Sequence, residues 1–303
     1  MRFVDFNHEL FFGGPVKTLS VRPLRLPFDF LRYHLWTCFL FVVDDIKTII
    51  VPCTVFSLVT SPISCTLPRV ALVLSWIFLH LLLCDVSNQS TSSIEDQANK
   101  PYRPIPSGRL TDETAKRLLV VLYGVCLLVS YFLNLLECSV VLCLLCFGYN
   151  TLDMSRHWLA KSLFNAAAYV CFEYGGTFLA ANGRMDDIAR TALWITFSVI
   201  AFTIHSQDLK DIEGDRLSNR LTLPIRFGEE VSRVAFLLGL LGCSLAVPHV
   251  WQLCVALRLF YVAFGAYIGV RTYFERTVAQ DKRNFKTYNV WLVAIRLTVL
   301  AAR

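Results

Sequence analysis

Charge is the scarcest property of this chain. Asp, Glu, Lys and Arg make up only 17% of its 303 residues, against 55% hydrophobic residues and a mean hydropathy of +0.52. That deficit excludes the disordered class and argues against an ordinary soluble domain, which carries about a quarter of its residues charged. Cysteine spacings typical of metal sites or disulfide frameworks are also missing. The 11 cysteines lie mostly inside apolar runs such as "VLCLLCFGYN" and read as small buried hydrophobes. The opening "MRFVDFNHEL" lacks the basic, apolar and small-residue succession of a secretory signal, so the first hydrophobic helix is expected to do the targeting. Neither a Ser/His/Asp nor a Cys/His arrangement is apparent, which leaves hydrolase chemistry with little support. Without an internal repeat, low-complexity tract or linker, one membrane domain over 1–303 is the economical reading.

Long apolar runs fill the place of the missing charge. Nine stretches approach the length a bilayer needs, at 46–62, 66–84, 115–133, 135–149, 158–181, 188–206, 231–248, 251–271 and 287–303. An all-α, multi-span membrane protein is therefore expected, with its helices around a central cavity. Division into nine spans puts most Lys and Arg, from Arg22 to Lys286, on the side of the N-terminus and the even loops, while Arg69, Arg184 and Arg190 flank the other. The positive-inside rule then places the N-terminus and even loops in the cytosol. The net charge of +6 needs no nucleic acid to explain it, and the sequon at Asn88 reads as a chance match.

Polar residues gather in two loops of that cytosolic side, near 85–115 and 205–230, which together would form the mouth of a site. In "DLKDIEGD", Asp208, Asp211 and Asp215 stand at i, i+3 and i+7; a continuous helix would align them on one face with Glu213 pointing away. Like charges on one face repel, and Mg²⁺, which favours carboxylate and phosphate oxygens, would offset that repulsion. The earlier segment places Asn88, Ser92, Glu95 and Asn99 on one face with Asp96 on its shoulder, and Pro101 ends the helix. "NKPYRPIPSGR" follows, offering Lys100, Arg103 and Arg109 as cations; Lys210 lies within the second motif.

Two metal-binding faces with Arg and Lys beside them suit a diphosphate, and apolar spans suit a hydrocarbon tail. Ionisation of such a substrate would leave an allylic carbocation, for which Tyr149, Tyr169, Phe172, Tyr174 and Phe178 are candidate aromatic stabilisers or ordinary packing.

At these residues the chain resembles the UbiA superfamily of intramembrane prenyltransferases. "DLKDIEGD" is similar to that family's DxxDxxGD, intact at Asp208, Asp211, Gly214 and Asp215, and "TLP" and "NKPYRPIPSGR" also resemble family sequence. The first motif departs from the family's NDxxDxxxD: with Asn88 and Asp96 aligned, Gln89 and Ser92 stand where aspartates would be. That variant resembles a fungal branch containing membrane-bound terpene cyclases.

The resemblance implies a UbiA-like helical fold and Mg²⁺ held by Asn88, Ser92, Glu95, Asp96, Asp208, Asp211 and Asp215. It implies catalytic roles for the four aspartates among these, with Tyr149 and Lys161 beside them. Asn88, Lys100, Arg103, Arg109, Asn165 and Lys210 would bind the diphosphate. Lys161 could instead snorkel to the membrane edge. The expected activity is a sesquiterpene cyclase ionising farnesyl diphosphate in the endoplasmic reticulum membrane, the alternative being prenyl transfer to an aromatic or other acceptor. A transporter is less favoured, since the acidic residues lie in same-side loops and not along spans. Partners other than the isoprenoid diphosphate and the lipid bilayer, whether nucleic acid or an obligatory protein, are not expected.

Overall fold

A computed structural model describes residues 27–91, 96–97 and 100–303. Arg22, Arg25, Ser92, Glu95 and Asn99 therefore lie outside the described residues. The chain is α-helical, and its described β-structure is a single bridge between His157 and Leu221. Helix α1 (Pro27–Val42) leads through a π-helical turn (Ile46–Ile50) into α2 (Val51–Thr60), followed by α3 (Leu67–Thr91), α4 (Asp112–Phe132), α5 (Leu136–Asn150), α6 (Trp158–Ala180) and α7 (Asp187–Thr203). Three short helices, α8 (Ser206–Leu209), α9 (Ile212–Leu217) and α10 (Leu223–Phe227), precede the long α11 (Glu229–Val250), α12 (Val255–Phe274) and α13 (Val278–Leu297).

Each of the nine apolar stretches coincides with a helix, but the expectation of nine spans needs correction. Among the described residues, five helices are long and apolar enough to cross a membrane: Leu67–Thr91, Asp112–Phe132, Asp187–Leu209, Glu229–Val250 and Val255–Phe274. Ile46–Thr60 and Leu136–Asn150 are apolar but short. Helix α6 carries Lys161, Asn165 and Glu173, and α13 carries Asp281, Lys282, Arg283, Lys286 and Arg296, which dilute their hydropathy.

Outward faces are apolar. Only 22% of the α4 span and 28% of the α12 span are buried, and residues such as Val120, Leu128, Phe132, Leu259 and Phe274 face outward, as lipid contact requires. Inside, polar side chains bond between helices. Trp76 donates to Ser130 at 3.0 Å, His80 pairs with Ser139 at 2.9 Å, and Trp291 donates to Ser244 at 3.0 Å. With hydrocarbon on both sides of the comparison, such bonds and close packing hold helices together where the hydrophobic effect cannot.

Helix α6 contacts α2, α3, α5 and α7, so it forms the pivot of the bundle. Two small residues allow this. A Cβ on Gly175 would meet the Trp76 ring at 2.4 Å, and one on Gly176 would meet Ser57 Oγ at 2.1 Å. Replacing Gly176 with leucine is expected to cost ~1–3 kcal/mol through overpacking, read as a lower thermal midpoint of the purified protein in detergent. Gly124→Ala, where a Cβ meets nothing within 4 Å, should leave that midpoint unchanged or raise it.

Candidate active site

The second motif does not form the continuous helix that its spacing predicts. Asp208 belongs to α8, the chain turns at Lys210 and Asp211, and Asp215 belongs to α9. That turn separates the three carboxylates. Asp208 and Asp215 point inward, 2% and 1% exposed, whereas Asp211 faces out and is bonded by the Lys210 ammonium. Lys161 of α6 meets the two inward carboxylates: its Nζ lies 2.6 Å from Asp208 Oδ1 and 3.8 Å from Asp215 Oδ2. Arg220 reaches Asp215 Oδ1 at 3.2 Å. Lys161 is thus buried in an ion-pair cluster and does not snorkel to the membrane edge. Backbone bonds fix this register, since Trp158 N donates to Leu221 O at 3.0 Å and Leu221 N to Arg156 O at 2.7 Å. They tie the start of α6 to the chain just beyond the motif.

Around the first motif, α3 carries Asn88, and the buried Asp96 accepts two bonds from Arg103 at 2.9 and 2.8 Å. Arg103 also donates to Asp44 at 3.1 Å, Lys100 lies 3.1 Å from the same carboxylate, and Tyr102 Oη donates to it at 2.6 Å. Asp44 was not among the site residues expected from sequence; the signal was "VVDDIK", charge directly after an apolar run. Burial alone would raise its carboxyl, but the Tyr102 hydrogen bond and the Lys100 and Arg103 charges hold it below the ordinary value of 3.8. Arg109 goes elsewhere, bonding Thr37 and the Tyr33 carbonyl of α1 with its guanidinium 4.2 Å above the Tyr33 ring.

At the end of α5, Asn150 Nδ2 donates to Ser87 on α3 at 3.1 Å, and the neighbouring Tyr149 ring lies 6.5 Å from the Phe164 ring of α6. Asn165 turns back to the Lys161 carbonyl at 2.8 Å. Deeper in the bundle, Glu173 pairs with Arg296 at 2.6 Å, and the Arg296 guanidinium sits 5.2 Å from the centre of the Tyr169 ring. Tyr169 Oη donates to Thr48 O at 3.0 Å, and Phe172 is core. Tyr174 and Phe178 stack at 6.1 Å. A small cavity of about 10 Å³ borders Phe56, Thr196, Trp251 and Arg296, away from both motifs.

Among the described residues, no three His, Cys, Asp or Glu side chains converge as a ready cage for a metal ion. Mg²⁺ rarely uses such a cage; one or two carboxylates with substrate phosphates and water suffice. Oδ2 of Asp215 and of Asp85 are buried without hydrogen-bond partners, so the donor set fits this hard cation.

The fold is thus a multi-span helical bundle with apolar outer faces whose two acidic segments meet buried cations. The UbiA prenyltransferase family matches residues 49–293, and the chain belongs to that family as one of its enzymes. It is 28% identical over 240 residues to the fumagillin β-trans-bergamotene synthase af520 of Aspergillus fumigatus, covering 79% of this chain and 81% of that protein. It is 29% identical over 227 residues to the polyprenyl transferase eriF of Hericium erinaceus, covering 69% and 75%. The fold matches a UbiA homologue from Archaeoglobus fulgidus bound to GPP and Mg²⁺ with a TM-score of 0.63 at 14% identity, over 89% of this chain and 97% of that one.

Lys161→Ala would leave Asp208 and Asp215 buried together without their shared cation. We expect a loss of ~3–5 kcal/mol, measured by thermal unfolding in detergent, with Lys161→Ala/Asp208→Asn recovering part of it. The Asp44 contacts should contribute stability in full above the ordinary value of 3.8 and lose it as pH falls through the lowered folded value. Unfolding midpoints recorded from pH 7 to 3 should show that acid-sensitive component in the wild type and not in Asp44→Asn.

Proposed function

We propose that the chain is a Mg²⁺-dependent membrane enzyme that ionises an isoprenoid diphosphate and passes the prenyl group to an aromatic or other acceptor. The observation carrying this reading is the pairing of Asp208 and Asp215 on one buried lysine, at the end of an apolar bundle. Bound Mg²⁺ would neutralise charge on the departing diphosphate. Asp208 and Asp215 would hold that ion, with Asn88 and Asp96 on the facing segment. Lys161 and Arg220 keep positive charge beside the diphosphate, and Lys100 and Arg103 add cations from the other loop. The allylic C–O bond breaks with its electron pair going to the diphosphate oxygen; an acceptor carbon then bonds the cation and releases a proton. The apolar interior would shield the cation from water.

Transfer is supported by the family as a whole, by the likeness to eriF, and by a related fold that binds GPP and Mg²⁺. A second reading is cyclisation of farnesyl diphosphate without an acceptor, as in the fungal cyclase branch. It is favoured by Gln89 and Ser92 in the first motif and by the likeness to the bergamotene synthase. In either case the chain would act as one domain in the endoplasmic reticulum membrane with its N-terminus and both polar loops cytosolic.

Membranes carrying the protein, supplied with farnesyl or geranylgeranyl diphosphate, Mg²⁺ and an aromatic acceptor, should yield prenylated acceptor. Asp208→Ala/Asp211→Ala should lower that yield by at least about 100-fold. A cyclic C15 product by gas chromatography and mass detection, formed from farnesyl diphosphate alone and lost in the variant, would replace transfer with cyclisation. No turnover of either substrate with or without acceptor would sink both.

A further inference from the structure

The first motif lacks carboxylates at Gln89 and Ser92, and the structure places another on the same helix. Asp85 lies one turn before Gln89 on α3, 6% exposed, with Oδ2 buried and unpartnered among the described residues. Gln89 is fully buried and donates through Nε2 to the Phe41 carbonyl at 2.9 Å. Because only the amide nitrogen can serve that carbonyl, the side chain's orientation is fixed and Oε1 is left buried without a partner. Positions i and i+4 share a helix face. The Phe41 bond turns that face toward the end of α1, where Asp44 and Asp45 follow.

Helix α3 also packs against the π-helical turn that begins directly after Asp45. The nearby cations are committed, Arg103 to Asp96 and Asp44, and Lys100 to Asp44. Thr48 donates to one oxygen of Asp45 at 2.6 Å. Two buried, unpartnered oxygens thus share one face of α3, with Asp45 heading the turn packed against that helix, and a divalent cation with hard-oxygen preference would satisfy them.

We propose that Asp85 and Asp45, with Gln89 Oε1 as a neutral donor, complete the first-motif half of the divalent-cation site beside Asn88 and Asp96; this assignment rests on the diphosphate reading above. It supplies from the helix before the motif, and from the turn after α1, the charge that Gln89 and Ser92 do not.

The test uses the full-length protein in detergent, titrated with Mn²⁺ in the presence of inorganic pyrophosphate, with free Mn²⁺ followed by electron paramagnetic resonance. Asp85→Asn and Asp45→Asn should each weaken Mn²⁺ binding by about tenfold or more. The metal-free unfolding midpoint of Asp85→Asn should hold or rise, because a buried unpaired charge is removed. A lowered midpoint with wild-type Mn²⁺ affinity would mark Asp85 as structural and overturn the assignment. Should Asp85→Asn not fold, the partly exposed Asp45 carries the test. Unchanged affinity in these variants, with Asp208→Asn weakened, overturns the assignment and leaves the diphosphate reading in place; unchanged affinity in Asp208→Asn as well overturns both.

Discussion

One buried ammonium positions the whole second motif. Lys161 is anchored in α6, which packs against α2, α3, α5 and α7, and it draws Asp208 and Asp215 onto the bundle from a segment with little regular structure of its own. Two carboxylates brought out of water would repel each other and drive the segment off; with the ammonium between them, they fold it down. The short helices α8 and α9 are too small to be stable alone. They owe their position to that ion cluster and to the backbone bridge between His157 and Leu221.

The opposite loop is held by a comparable device of reversed sign. Here a carboxylate, Asp44, gathers Lys100, Tyr102 and Arg103, so a run of turns rich in proline has a fixed attachment to the segment after α1. At the end of α5, Asn150 bonds α3 and Tyr149 meets Phe164 of α6, which ties these helix ends together. Below them the chain becomes apolar.

Much of this was legible in the sequence, and the losses have physical causes. Apolar runs located the helices because burial and lipid contact both demand long hydrophobic stretches. They overcounted autonomous spans, because α6 and α13 owe their depth to tertiary ion pairs that periodicity does not register. Asp208 and Asp215 stood together in one motif and Asp96 on the shoulder of the other, whereas Lys161 was expected beside them only from the family resemblance. The outward turn of Asp211 was not, since a helical wheel assumes a helix and the chain breaks at Lys210. Arg109 looked like a diphosphate ligand beside Arg103, yet stacking on Tyr33 engages it. Asp45 and Asp85 belong to no motif, and only the packing of α3 against α1 and the turn after it brings their segments together.

The contact of Arg296 with Tyr169 limits how the interior can diverge. That ring already has a permanent cation on one face, and its hydroxyl reaches the turn that carries Asp45 and Thr48. Glu173 holds the cation in place from the same helix as Tyr169. A smaller side chain at position 169 would therefore do more than leave a void: it would uncover a buried guanidinium and slacken a link to the turn after α1. Substitutions in the interior should accordingly be tolerated first at neighbours without such obligations, while Tyr169, Glu173 and Arg296 tolerate change only together.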